Sequence, residues 1–320
     1  MGAVTRIALV LGAGGVIGQA YHAGVLSALA EHAGFDAREA DVIVGTSAGS
    51  ITGTVLRLGV SPRDLAAWAV RAPLSESEAP PRRDLALVPR MQPMRPAQML
   101  RPPSPPSLAM LRRAVVRPWQ FRPLAAGLAL LAPGHNDIVG QLSALMELDD
   151  VPWPERPLWI TAVRRRDGRR VVFGRAGTPS APLHLAVGAS CAIPGFFRPV
   201  LIGDHTYVDG GAHSPTNAAL VRPLRPDLVV VVSPMSGPPG RPGIYAASRR
   251  HSARKLRREI TALERTGSRT VVFAPDADEQ AVMGDNLMSG RRVRAVVDVA
   301  RERTAAKLAA GRGAALSSGS

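Results

Sequence analysis

Short apolar runs that end in glycine-rich turns and pass into stretches of helical spacing set the rhythm of the first sixty residues. Arg6 to Leu11 is apolar and stops at Gly12-Ala13-Gly14-Gly15, after which Gln19 to His32 has the periodicity of a helix. The unit then repeats: Asp41 to Val44 is apolar and β-branched, Gly45 to Gly49 is a compact turn, and Ser50 to Leu58 continues as a helix. Two successive strand-turn-helix units predict an α/β fold with a mostly parallel sheet.

From Arg71 to about His135 the pattern changes. This stretch holds 13 prolines and 10 arginines against 3 acidic residues, and it lacks strand alternation. It reads as a Pro/Arg-rich insertion, either a linker or a lid or membrane-facing cap, with short helices at Leu108 to Val116 and Leu124 to Leu131 separated by Pro118 and Pro123. Strand pattern resumes in Leu158 to Val163 and Arg170 to Phe173, joined through the hairpin signal Asp167-Gly168. Val200 to Ile202 and Thr206 to Val208 repeat that arrangement around Gly203-Asp204. Asp227 to Val232 and Thr270 to Phe273 read as buried strands, and basic helices are expected over Tyr245 to Arg265 and Arg291 to Ala310. The tail from Ser317 to Ser320 is expected to fray. The whole is read as one domain over residues 1–320, with 71–135 inserted and 245–320 as basic C-terminal helices.

Composition narrows the function classes. Lys and Arg number 40 against 25 Asp and Glu, a formal charge of +15, so anionic partners are favoured, whether nucleic acid or an anionic lipid surface. Cys191 is the single cysteine, which excludes an intrachain disulfide and a cysteine metal cluster and is expected to be a small buried residue. Met1 to Leu11 lacks the pattern of a secretory signal, and Pro123 to Pro133 is too short to span a bilayer. A cytoplasmic protein with peripheral membrane contact is expected.

Three places carry chemistry. Gly45-Thr46-Ser47-Ala48-Gly49 is G-x-S-x-G between an apolar strand and a helix, the setting of a nucleophile elbow; its bland alternative is a tight turn with a capping serine. Flanking Gly45 and Gly49 permit the sharp turn that lifts the Ser47 hydroxyl above the strand end. The Gly12 to Gly18 loop offers N–H groups at a helix start, suited to an oxyanion. The rival is a dinucleotide site, which Asp36 or Glu39 near the expected acidic offset favours, while the missing Gly-Lys-Ser/Thr ending of a phosphate loop and the missing G-x-G-x-x-G register weaken it. Asp209-Gly210-Gly211 follows a strand, so its carboxylate is either a base or a plain turn residue. His213 is a rival base, since Ser47, Asp209 and His213 follow the chain order of an α/β-hydrolase triad. His22, His135 and His251 are read as packing or surface residues, and without H-E-x-x-H no metal site is expected.

Together these motifs, with Gly188 to Phe197 (GASCAIPGFF), resemble the patatin-like phospholipase family over roughly residues 6–60 and 156–233. The resemblance implies a three-layer α/β fold and a Ser-Asp dyad, with Ser47 as nucleophile and Asp209 as base, and no cofactor. It also implies oxyanion donors at Gly14 and Gly15, assisted by the N–H of Ala48, and a lipid or other acyl ester as substrate. Two positions depart from the family pattern: Ala13 stands where glycine is common and Ile17 where many members are basic. Alanine tolerates positive φ poorly, so the loop is expected either to keep residue 13 in an ordinary conformation or to hold strain there. A competing reading is a nucleic-acid-binding or scaffolding protein on a degenerate hydrolase fold, motivated by Arg164-Arg165-Arg166 and the basic stretch Arg249 to Arg258. The scarcity of aromatic residues for base stacking argues against it.

Overall fold

The structure is a computed structural model of the 320-residue chain, and it describes residues 5–73, 102–146, 150–238 and 244–312. Much of the expected insertion (74–101) and the tail Ser317 to Ser320 lie outside the described residues. The fold is mixed α/β with a mostly parallel central sheet, and the chain divides into two compact units. One is formed by the described residues of 1–88, 154–158 and 215–320, the other by those of 89–153 and 159–214.

The first unit begins with β1 (Ile7–Leu11), α1 (Gly15–Ala33), β2 (Val42–Gly45), α2 (Ala48–Arg57) and α3 (Pro62–Ala69). α1 is apolar round its whole circumference and is buried from Val16 to Leu29, as a helix enclosed on all sides requires. It ends at Gly34 in the left-handed conformation. α3 escapes the hydrophobic pattern, yet its start is written in Ser61-Pro62-Arg63-Asp64: Ser61 accepts the Asp64 N–H at 3.1 Å and Pro62 takes the first helical position.

The second unit comprises α4 (Leu108–Val116), α5 (Pro123–Ala129), α6 (Ile138–Met146), β3 (Leu158–Arg164), β4 (Arg169–Phe173), α7 (Leu183–Cys191), β5 (Val200–Ile202) and β6 (His205–Asp209). β4, β3, β6 and β5 pair antiparallel in that order. The β3–β4 hairpin turns through Asp167 and Gly168, where Gly168 has φ 63° and Asp167 holds Arg164 at 2.6 Å. Sequence pattern places α4 at its observed bounds and α5 within two residues; α6 and α7 have too little polar contrast to show in the pattern. Cys191 is buried at the end of α7.

The chain then returns to the first unit with β7 (Leu228–Val232), α8 (Ile244–Glu264), β8 (Arg269–Phe273), α9 (Ala277–Met283) and α10 (Val293–Lys307). β2, β1, β7 and β8 run parallel in that order, with Leu9 opposite Ile43 on one side and Val230 on the other. Every residue of β2 and β7 is buried, the mark of parallel strands covered on both faces. α10 packs on α1 at Gly24, where a Cβ would lie 2.4 Å from the Val297 carbonyl oxygen. Among the described residues no helix is long and apolar enough to cross a membrane.

Candidate active site

Ser47 stands between β2 and α2 with φ 53° and ψ −119°, a backbone conformation that L residues avoid. Its neighbours enforce it. A Cβ at Gly49 would lie 2.0 Å from the Leu11 carbonyl oxygen, and one at Gly45 would lie 2.6 Å from the Gly49 carbonyl oxygen. The Thr46 N–H donates to Leu11 O at 3.0 Å, which ties the turn to the end of β1. Behind it, Asn217, itself left-handed at φ 55°, donates from Nδ2 to Thr46 Oγ1 at 3.1 Å. The Ser50 hydroxyl donates to Ser47 O at 2.7 Å. Strain of this kind costs on the order of 1–3 kcal/mol and persists only where surrounding contacts over-determine it. Ser47 is 5% exposed.

The glycine loop after β1 belongs to the same unit. The Gly12 N–H donates to Val232 O at 2.9 Å and the Ala13 N–H to Pro215 O at 2.7 Å. Gly14 is extended at φ 171° and Gly15 takes φ 62°, while Ala13 is not among the positive-φ residues. The departure at position 13 is therefore accommodated without strain, because the left-handed step falls on Gly15. Among the described residues the N–H groups of Gly14 and Gly15 donate to no protein acceptor, so both remain available for an anion at the positive end of α1. Ile17 is fully buried, and its N–H donates to Leu287 O at 3.0 Å. The start of α2 is close by: a Cβ on Gly18 would sit 3.5 Å from the Ala48 Cβ.

Sequence reading missed the segment that closes this loop from the far end of the chain. A Cβ on Gly15 would lie 2.5 Å from Met288 Sδ and 2.8 Å from Leu287 O. Leu287-Met288 thus supplies both an acceptor for the first turn of α1 and a side chain against Gly15. No local signal marks these two residues, because their role is set by where the return from α9 to α10 passes.

In the second unit, Asp209 is the last residue of β6, opposite Ala162 of β3, and 5% exposed. Its N–H donates to Ala192 O at 2.9 Å, and its Oδ1 accepts the Gly211 N–H at 2.7 Å. One carboxylate oxygen is thereby oriented by the backbone turn. Gly210 is required here, since a Cβ would lie 2.3 Å from Thr161 Oγ1 and 2.5 Å from Thr161 O. His213 follows in the same unit, half-buried, its N–H donating to Gly210 O at 3.0 Å. The Gly188 to Phe197 stretch is the end of α7 and the turn after it, where Phe196 and Phe197 meet edge to face at 4.9 Å.

His22 is the most perturbed histidine. Complete burial in α1 lowers its pKa to about 3, and its Nδ1 meets Thr52 Oγ1 at 3.2 Å. A neutral ring in the core fits the packing role expected of it.

The family model described as patatin-like phospholipase matches residues 9–221. Among solved structures, VipD from Legionella pneumophila is similar at 13% identity and a TM-score of 0.41, covering 97% of this chain and 67% of that one. The type III effector protein ExoU is similar at 18% identity and a TM-score of 0.37, with 96% of this chain and 54% of that one covered.

Proposed function

The chain belongs to the patatin-like phospholipase family and is an enzyme of the lipid acyl hydrolase class; on that premise we propose that it works through Ser47 as nucleophile and Asp209 as general base. Asp209 takes the hydroxyl proton as Ser47 Oγ attacks the acyl carbonyl, and the carbonyl π electrons move onto oxygen. The resulting oxyanion is held by the N–H groups of Gly14, Gly15 and Ala48. Collapse breaks the ester bond, the alcohol leaves with the proton from Asp209, and an acyl-Ser47 ester remains. Water, deprotonated by the same carboxylate, then releases the fatty acid and restores the serine. The substrate is an acyl ester of a lipid, cleaved in the manner of a phospholipase A, a lysophospholipase or an acylesterase.

The observation that carries this reading is the backbone of Ser47, φ 53° and ψ −119° on a non-glycine residue between a strand and a helix. That is the strained turn a nucleophile elbow needs, and a mere capping serine has no use for it. Two further features support it: the undirected N–H groups of Gly14 and Gly15, and the Asp209 carboxylate oriented by the Gly211 N–H.

A fluorophosphonate probe should label Ser47, and acyl-ester hydrolysis should vanish in Ser47→Ala. Asp209→Asn should lower turnover by about 10⁴-fold. His213→Ala should leave most of it. Labelling elsewhere, or activity that survives Ser47→Ala, refutes the nucleophile; a collapse in His213→Ala replaces the dyad with a triad.

A further inference from the structure

α4 turns a strongly apolar half of its circumference to solvent. Leu108 is 86% exposed, Val115 80% and Val116 58%, and Trp119 in the turn that follows is 70% exposed. At 100° per residue, Leu111, Val115, Leu108, Arg112 and Val116 succeed one another round one side of the helix. The other side is fixed. Met110 is buried, Ser107 caps the helix by accepting the Met110 N–H at 3.2 Å, and the Ser107 hydroxyl donates to Arg166 O. A capped and anchored helix holds its apolar half outward.

Among the described residues on and beside this face, the exposed charges named are basic. Arg112, Arg117 and Arg122 are exposed, and the sequence has no acidic residue between Pro102 and Asn136. The β3–β4 turn beside the cap adds exposed Arg166 and Arg169, and its acid, Asp167, is paired with Arg164 at 2.6 Å. An exposed apolar arc that carries Arg112 within it and has further arginines in the segments beside it marks an interaction site. Its complement is apolar in depth and anionic at the edge. Nucleic acid offers no apolar phase for Leu108 and Val115, and a second copy would set arginine against arginine.

We propose that α4 and the turn carrying Trp119 form the face by which the protein docks on an anionic phospholipid bilayer. Leu108, Leu111, Val115 and Val116 enter the boundary between headgroups and acyl chains, Trp119 sits at headgroup level, and Arg112 and Arg117 meet the phosphates. The surface does not depend on which residues perform catalysis.

The test uses the full chain with Ser47→Ala, so that lipid is not consumed, in co-sedimentation with vesicles of phosphatidylcholine alone or with about one-third phosphatidylserine. Binding should favour the anionic vesicles and weaken as salt rises. Val115→Asp with Trp119→Ser should reduce it about tenfold or more, with an unchanged circular dichroism spectrum. Arg112→Glu with Arg117→Glu should abolish the preference for phosphatidylserine. With Ser47 restored, the Val115/Trp119 variant should hydrolyse a soluble short-chain ester at the parent rate, which separates docking from catalysis. A parent protein with no affinity for either vesicle, apolar variants that bind as well as the parent, or a dimer in sedimentation equilibrium that Val115→Asp dissolves would each overturn the proposal.

Discussion

At Gly49 the first turn of α2 passes over the end of β1 with no room for a side chain, 2.0 Å separating an added Cβ from Leu11 O. Gly49→Ala should therefore either lose the elbow or shift β1, at a cost of about 3 kcal/mol, read as a drop in the urea midpoint. His22 carries a different prediction. The folded chain keeps it neutral down to about pH 3, whereas the unfolded ring titrates near 6.5. Between those values the unfolded state binds the extra proton, so this contribution is complete above 6.5 and is lost as pH falls toward 3, by ~5 kcal/mol in all. Urea melts from about pH 7 to about pH 4 should show a steeper decline for the parent than for His22→Gln, which takes up no proton. Both effects follow from what surrounds the residue, and only the glycine's was announced by its motif.

At the scale of elements, α10 is tied to its neighbours by ion pairs of unequal weight. Arg301 meets Glu31 of α1 at 2.6 Å with half of its side chain in solvent, so water screens the contact and it adds little to stability. Lys307 meets Glu279 of α9 at 2.8 Å with the carboxylate fully buried. Burial pushes the Glu279 pKa up and Lys307 pulls it back. Lys307→Met should leave that carboxylate without its cation and lower stability by roughly 3 kcal/mol, which thermal unfolding can measure. Glu279 also completes a capping box with Asp276, Oε2 accepting the Asp276 N–H at 2.7 Å, so α9 was legible in Asp276-Ala277-Asp278-Glu279 to a reader looking for caps. Hydrophobic spacing alone passed over it, as it did over α3, because both are short and open with charged residues, Asp278 and Glu279 in one and Arg63 and Asp64 in the other, that break up the apolar run.

For the whole molecule, the segment 9–221 that matches the family does not contain the partners on which its first strand depends. β7 pairs with β1 along its full length, Val232 accepts the Gly12 N–H, and α10 packs on α1. A chain ended at residue 221 should give no cooperative unfolding transition and should be recovered insoluble, whereas the full chain should melt in a single step or two. The strands, the principal helices, the strained serine turn and the glycine pair after Asp209 follow from the sequence by itself, because each is a local consequence of apolar period, backbone freedom and helix capping. Tertiary structure alone decided which N–H groups of the glycine loop stay undirected, that Leu287 and Met288 close on Gly15, and that the apolar side of α4 faces water. Those outcomes depend on contacts between residues far apart in the chain, and no local pattern encodes which distant backbone will arrive.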